Sequence, residues 1–209
     1  MRVSRSSLKQ IIGATILLFL AGILFFPAYL FWNASIQRSA GSLSRCGQAP
    51  IFQGKDQTGH TIGNAQLRGR VWVANFVQLA DQQEGELLSS KFAELDQNFQ
   101  RTDELALVSF AVSGRLGTGT QAYAQRHEAS FRWHFLDTSN SDTASLLAQW
   151  VTATAACRKA LLLEKTFVLV DREGEIRGIY DETNPEVVQK ILIDVGSLLR
   201  GEPSPVSAP

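Results

Sequence analysis

The hydrophobic positions fall into blocks whose period changes along the chain. Residues 11–32, IIGATILLFLAGILFFPAYLFW, form one uncharged apolar run. At about 1.5 Å per residue, a helix of that length just crosses a hydrocarbon core of about 30 Å. A Ser-, Gly- and Ala-rich stretch with little periodicity follows at 33–48, and from there strands and helices alternate. Ile51-Phe52 and Thr61-Ile62 flank KDQTGH, which predicts a hairpin around a glycine turn. Val71 to Val77 is a β-branched and aromatic run of the kind found in central strands. Leu88, Phe92, Leu95 and Phe99 then recur at helical spacing. LALVSFAV at 105–112 predicts a second buried strand, 118–129 a helix, FRWHFLD at 131–137 a strand and 142–151 a helix. TFVLVD at 166–171 turns through Arg172-Glu173-Gly174 into EIRGIYD. Asn184-Pro185 predicts the start of a last helix, with Asn as cap and Pro in the first position. Its apolar face takes Val188, Ile191, Ile193, Val195 and Leu198.

A hairpin, then β-α-β-α-β-α, then a β-hairpin and a final helix predict an α/β fold. Alternation gives parallel strands covered on both faces, and the terminal hairpin makes the sheet mixed. That is a thioredoxin-like mixed sheet flanked by helices, preceded by one N-terminal transmembrane helix. The expected organisation is a cytoplasmic N-terminus at 1–10, a transmembrane anchor at 11–32, a linker at 33–48, the folded domain at 49–200 and a disordered tail at 201–209. Arg2, Arg5 and Lys9 precede the apolar run, and Tyr29 and Trp32 close it. Positive charge stays on the cytoplasmic side and amphipathic rings favour the interface, so the domain is expected on the periplasmic, extracytoplasmic side of the cell membrane. A cleaved signal peptide is the competing reading; the run is long for one and no small-residue cleavage site follows it.

Charge narrows the function classes. Lys+Arg and Asp+Glu are both 20, a formal net charge of zero. No basic surplus suggests nucleic acid and no acidic run suggests a solvating tail. The two cysteines, Cys46 and Cys157, stand far apart and form no C-x-x-C. Neither a zinc ribbon nor a local dithiol can be built from them.

Several segments, in order, carry a resemblance: DQTGHTI, LRGRVWVANF, LALVSFAV, AYAQRHEASFRWHFLDT and TFVLVDREGEIRGIYD. With them the chain resembles the Sco/SenC family of membrane-anchored, thioredoxin-fold copper chaperones that help load copper into cytochrome c oxidase. The resemblance implies a metal site of two cysteines spaced C-x-x-x-C after the ANF-type strand, plus a histidine before the FVLVD-type strand. Thiolate and imidazole are the soft and borderline donors that copper takes. Carried onto this chain, those ligands fall at Asp81, Gly85 and Leu163, so all three are missing. The Asp-Pro that the family places after its VSF-type strand is replaced by Ser113-Gly114.

What stands at those positions reads as structure. Asp81-Gln82-Gln83-Glu84 has the form of a capping box, with a hard-cation site at the Asp81, Glu84 and Glu86 carboxylates as the sharper alternative. Leu163, between Leu162 and Glu164, neither ligates nor moves protons and is expected to pack. His60 is placed in a turn, His127 on a helix and His134 in a strand, none at ligand spacing. SGRLGTGT at 113–120 lacks a phosphate-binding pattern; it reads as a flexible loop and, second, as a partner contact at a strand end.

The resulting expectation is a non-enzymatic accessory or binding factor in respiratory oxidase assembly, without cofactor and without copper in the family site. Its expected partners are the membrane and respiratory oxidase subunits or a Sco homologue. One alternative is an active copper chaperone with relocated ligands, Cys157 with His127 or His134. The other is a thiol-disulfide oxidoreductase or peroxidase-like protein, disfavoured because no proline lies between Pro50 and Pro185 to serve as a cis-proline, and no dithiol exists. In an oxidising space Cys46 and Cys157 have only each other to pair with, so a structural disulfide stands open against two unpaired thiols.

Overall fold

A computed structural model describes residues 43–78, 82–113, 119–137, 143–157 and 162–201. The expected anchor at 11–32 and the tail beyond Gly201 lie outside them. Among the described residues no helix is long and apolar enough to cross a membrane.

The chain enters through β1 (Gly47–Gln48), then makes a hairpin of β2 (Gln53–Lys55) and β3 (Thr61–Gly63) and a short helix α1 (Asn64–Leu67). β4 (Val71–Gln78), α2 (Gln82–Asn98), β5 (Leu105–Ser113), α3 (Gly119–Arg126), β6 (Trp133–Asp137) and α4 (Thr143–Thr154) follow. A 3-10 turn (Leu163–Lys165) leads into β7 (Thr166–Val170), β8 (Glu175–Asp181) and α5 (Val187–Leu199). The main sheet runs β1-β8-β7-β4-β5-β6. β4, β5 and β6 are parallel, whereas β7 is antiparallel to β4 and β8 to β7.

Strand alternation splits the sheet into two apolar faces. Val71, Val73, Leu107 and Leu169 lie with Leu88, Phe92 and Leu95 of α2 and Val187, Ile191 and Val195 of α5. Trp72, Ala74, Phe76, Val108 and Phe110 lie on the opposite face with Phe52, Ile62 and Trp150. Period two across the strands, met by period 3.6 along the helices, is what makes two covered layers.

Three boundaries differ from expectation. Gly47 and Gln48, read as linker, belong to the sheet: Gly47 pairs with Ile176 and Gln48 with Glu175. The pairing is too short to show as a periodic pattern. The last helix starts at Val187, not at Pro185, because Asn184 makes a turn first. Its Oδ1 accepts the Glu186 N–H at 2.9 Å and its carbonyl the Val187 N–H. Ile193 is only half-buried, while Val187 is buried in its stead. α3 ends at Arg126, which places His127 just past the helix.

β1 is held from several sides. The structure joins Cys46 to Cys157 in a disulfide, with Cα atoms 5.4 Å apart. Gly47 has φ +136, and a Cβ there would sit 2.9 Å from the Ala153 carbonyl oxygen of α4, so only glycine admits this approach. Arg177 is buried; its guanidinium pairs with Asp171 at 2.9 Å and donates to the carbonyls of Ser44 and Leu43.

Candidate functional site

Of the three positions at which the resemblance implies ligands, the sheet register brings two, Gly85 and Leu163, to one end of the domain. β4 runs toward Asp81, and Gly85 lies in the first turn of α2, which follows it. β7 is antiparallel to β4, with Phe167 opposite Asn75. Leu163, four residues before Phe167, therefore stands beyond the C-terminal end of β4. Asp81, and with it the capping box and its cation alternative, falls outside the described residues, as does most of the 113–120 loop.

Leu163 packs as expected. It is buried among the aromatic and aliphatic side chains of one sheet face, and its carbonyl accepts the Thr166 hydroxyl at 2.9 Å. A thioether, thiolate or imidazole is absent there, and Leu162 beside it is exposed. Among the described residues no group of three His, Cys, Asp or Glu side chains is placed to hold a metal ion.

The relocated ligand set is not assembled. Cys157 is bonded to Cys46, which leaves the protein no free thiol. His134 Nδ1 lies 3.0 Å from Asp56 Oδ2, and both groups are buried. His127 Nε2 lies 3.2 Å from Glu86 Oε2 but out of line for a good hydrogen bond. Burial, which disfavours the charged imidazole, holds both rings below the usual histidine range, against the pull of Asp56 on one and Glu86 on the other. His60 is in its expected turn, with Nδ1 2.8 Å from the Thr58 hydroxyl. The same disulfide occupies both thiols, so neither stands as a free thiolate.

Some polar groups that periodicity does not reveal organise this domain. Asp56 Oδ1 accepts the Thr58 N–H, the Thr58 hydroxyl and the His60 N–H, shaping the hairpin turn. Burial raises the Asp56 carboxyl pKa, but these bonds and His134 outweigh it and leave the pKa below its ordinary value. Gln57 reaches β6, donating to the Trp133 carbonyl at 2.6 Å and accepting the Phe135 N–H at 2.8 Å. One carboxamide thus pairs the backbone of an edge strand. The Asp-x-Thr-x-His pattern at 56–60 was a visible turn signal; the reach of Gln57 had none. Asn75, fully buried in β4, has neither amide atom hydrogen-bonded.

No family model matches the chain, and no curated protein matches it. Solved structures do. A SCO1/SenC family lipoprotein from Bacillus anthracis superposes with TM-score 0.60 at 20% identity, over 74% of this chain and 96% of that one. BsSco, a member of the Sco family of cytochrome c oxidase assembly proteins, superposes with TM-score 0.58 at 18% identity, over 73% and 93%. ScoI from Bradyrhizobium japonicum, with copper bound, superposes with TM-score 0.56 at 13% identity, over 73% and 99%. Thiol-disulfide interchange proteins also match. The fold is therefore thioredoxin-like. Within that class the chain is similar to Sco/SenC proteins.

Proposed function

We propose that this chain is a Sco/SenC-type binding protein, tethered by residues 11–32 to the outer face of the cell membrane. It serves respiratory oxidase assembly without carrying copper in the family site and without catalysing a reaction. One observation carries the reading. On a Sco-like scaffold, the position of the family histidine is the core leucine Leu163, and both cysteines are used in a disulfide elsewhere. BsSco's description as a cytochrome c oxidase assembly protein supports the biological setting. The segment resemblance from DQTGHTI to EIRGIYD supports it independently of the fold.

The test is a metal count on the full chain in detergent, loaded with Cu(I) and with Cu(II) and then desalted. The expected result is about 0.1 equivalent of copper retained or less, because the soft donors are missing. Retention of one equivalent would overturn the copper-free reading.

A further inference from the structure

At the N-terminal end of β4, remote from Leu163, a cleft of about 760 Å³ opens between α1, β1 and the β7–β8 turn. Its apolar lining comes from Ala49, Leu67 and Trp72, and its rim carries Ile51 and Arg68. We propose that this cleft docks an extended segment of a partner protein. That segment would lay an apolar side chain against Ile51 and Trp72 and set a neighbouring carboxylate on Arg68. The inference goes beyond the proposed function and rests on its premise that the domain works by binding.

Ile51 is the first argument. It is 85% exposed, although Ala49 and Phe52 on either side are buried. Its exposure is built. Asn64 Oδ1 accepts the Phe52 N–H at 2.7 Å and Asn64 Nδ2 donates to the Pro50 carbonyl at 3.1 Å. Both peptide units flanking Ile51 are pinned, so the side chain is held outward with little left to lose on binding. A preordered apolar group beside a hollow lined by Leu67 and Trp72 is the composition of an interface hot spot.

Charge supplies the second argument. Arg172, also on the wall, is matched already: it pairs with Glu104 and donates to the Leu198 and Leu199 carbonyls at the end of α5. Arg68 is exposed and has no ion pair or hydrogen bond through its guanidinium among the described residues, so a carboxylate is its complement. Glu173 also lines the cleft. It would repel an anionic lipid or a free phosphate, yet its carboxylate, with the Gln48 amide nearby, can accept main-chain N–H groups of an extended peptide. The Gly69 N–H donates to the Arg172 carbonyl at 3.0 Å and ties the turn after α1 to the β7–β8 turn.

The experiment uses the isotope-labelled full chain in uncharged detergent. Two capped peptides are titrated, Ac-Ser-Leu-Glu-Leu-Ser-NH2 and its lysine counterpart. Saturable shifts of the Ile51 methyls and the Trp72 indole N–H are expected with the acidic peptide, and affinity about fivefold weaker with the lysine peptide. Arg68→Gln should remove that preference. Ile51→Ser should weaken both peptides by about tenfold while leaving the thermal midpoint in place. No saturable shift, or equal binding of the two peptides in the unaltered chain, would overturn the proposal. So would Ile51 shifts that follow protein concentration alone, which mean a second copy, or that follow addition of anionic lipid vesicles, which mean a membrane. The copper count reads a different end of the domain, so either proposal can fail while the other stands.

Discussion

The surroundings of Cys46 and of Leu163 show two outcomes for one sheet. Around Cys46 the chain gathers a cross-link, a glycine fitted against a helix carbonyl and a buried arginine clamp. Around Leu163 it places aromatic and aliphatic packing, and the Leu163 carbonyl accepts the N–H and the hydroxyl of Thr166. Sulfur is therefore spent at the edge strand β1, which contributes only two residue pairs of its own. None is left at the helix start, where a thiolate would be activated or would ligate. The difference teaches that cysteine content says little about chemistry until the neighbours are known. A lone cysteine beside an edge strand serves folding, and the same atom at the β4–α2 junction would serve metal.

The largest effect expected breaks this contrast outright. The variant Asp81→Cys, Gly85→Cys, Leu163→His puts soft donors at the three positions where the resemblance implies ligands. Equilibrium competition with a Cu(I) chelator should show affinity rising by at least about a thousandfold. Failure of the fully folded variant to gain copper would mean that this end of the scaffold is not equivalent to that of copper-bound ScoI.

Next in size is the staple itself. Cys46 and Cys157 are 111 residues apart in sequence. Closing a loop of that length restricts the unfolded chain by about 5 kcal/mol in the chain-entropy account. Cys46→Ser with Cys157→Ser should lower the denaturant-unfolding free energy by about that much. It should also speed amide exchange at Gly47 and Gln48, since the residue before β1 loses its tie to the turn after α4. Copper retention should not change, which separates the staple from the family site. Unchanged stability would show that the hydrogen bonds of Arg177 alone hold the entry segment.

A smaller loss is expected on the other side of the comparison. Leu163 is 4% exposed and packs in the same cluster as Val168 and Trp150. Leu163→Ala should cost about 3 kcal/mol through lost burial and a cavity. A cost well under about 1 kcal/mol would mark this end of the domain as loosely packed, a surface kept for contact and not for core.

The sequence made the central strands and long helices legible because burial there follows simple periods. Val71 to Val77 alternates between two covered faces, and Leu88, Phe92 and Leu95 fall on one stripe of α2. The identities Asp81, Gly85 and Leu163 at the positions where the resemblance implies ligands were equally legible, since they need only three offsets. Gly47–Gln48 was not, because a two-residue strand has no period. Nor was the role of Gln57, whose value lies in a backbone bond to Trp133, 76 positions away. Arg132 reads as a break in the apolar pattern of FRWHFLD. In the fold it is buried, paired with Asp96 at 2.9 Å and with the Asp96 carbonyl at 3.2 Å, so long-range pairing overrides the local pattern. The cleft at Ile51 depends on Asn64 bonding across twelve residues, which no spacing rule anticipates.

The smallest effect separates the two histidine environments by pH. Burial holds the His134 pKa below the ordinary value, with Asp56 pulling upward and Arg70 and His60 adding smaller depressions. Its Nδ1 faces Asp56, while its Nε2 is buried without a hydrogen-bond partner. A histidine whose folded pKa is depressed binds protons less readily in the fold than in the unfolded chain. Stability is therefore full above the unfolded histidine value of about 6.5 and declines as pH falls from there through the depressed folded pKa. His127, depressed by burial and by Arg126 against Glu86, acts in the same direction. The Asp56 carboxyl, lowered below its ordinary value, adds its own loss only in the more acidic carboxylate range. His134→Asn keeps a donor for Asp56 and removes the titration. It should flatten the fall in unfolding free energy between pH 7 and pH 5 without abolishing it, because His127 remains. The local sign is the Phe135 amide, held by Gln57 on the same hairpin. At pH 5 it should exchange faster in the unaltered protein than in His134→Asn. Equal exchange in the two at that pH would show that the hairpin's hold on β6 does not depend on His134.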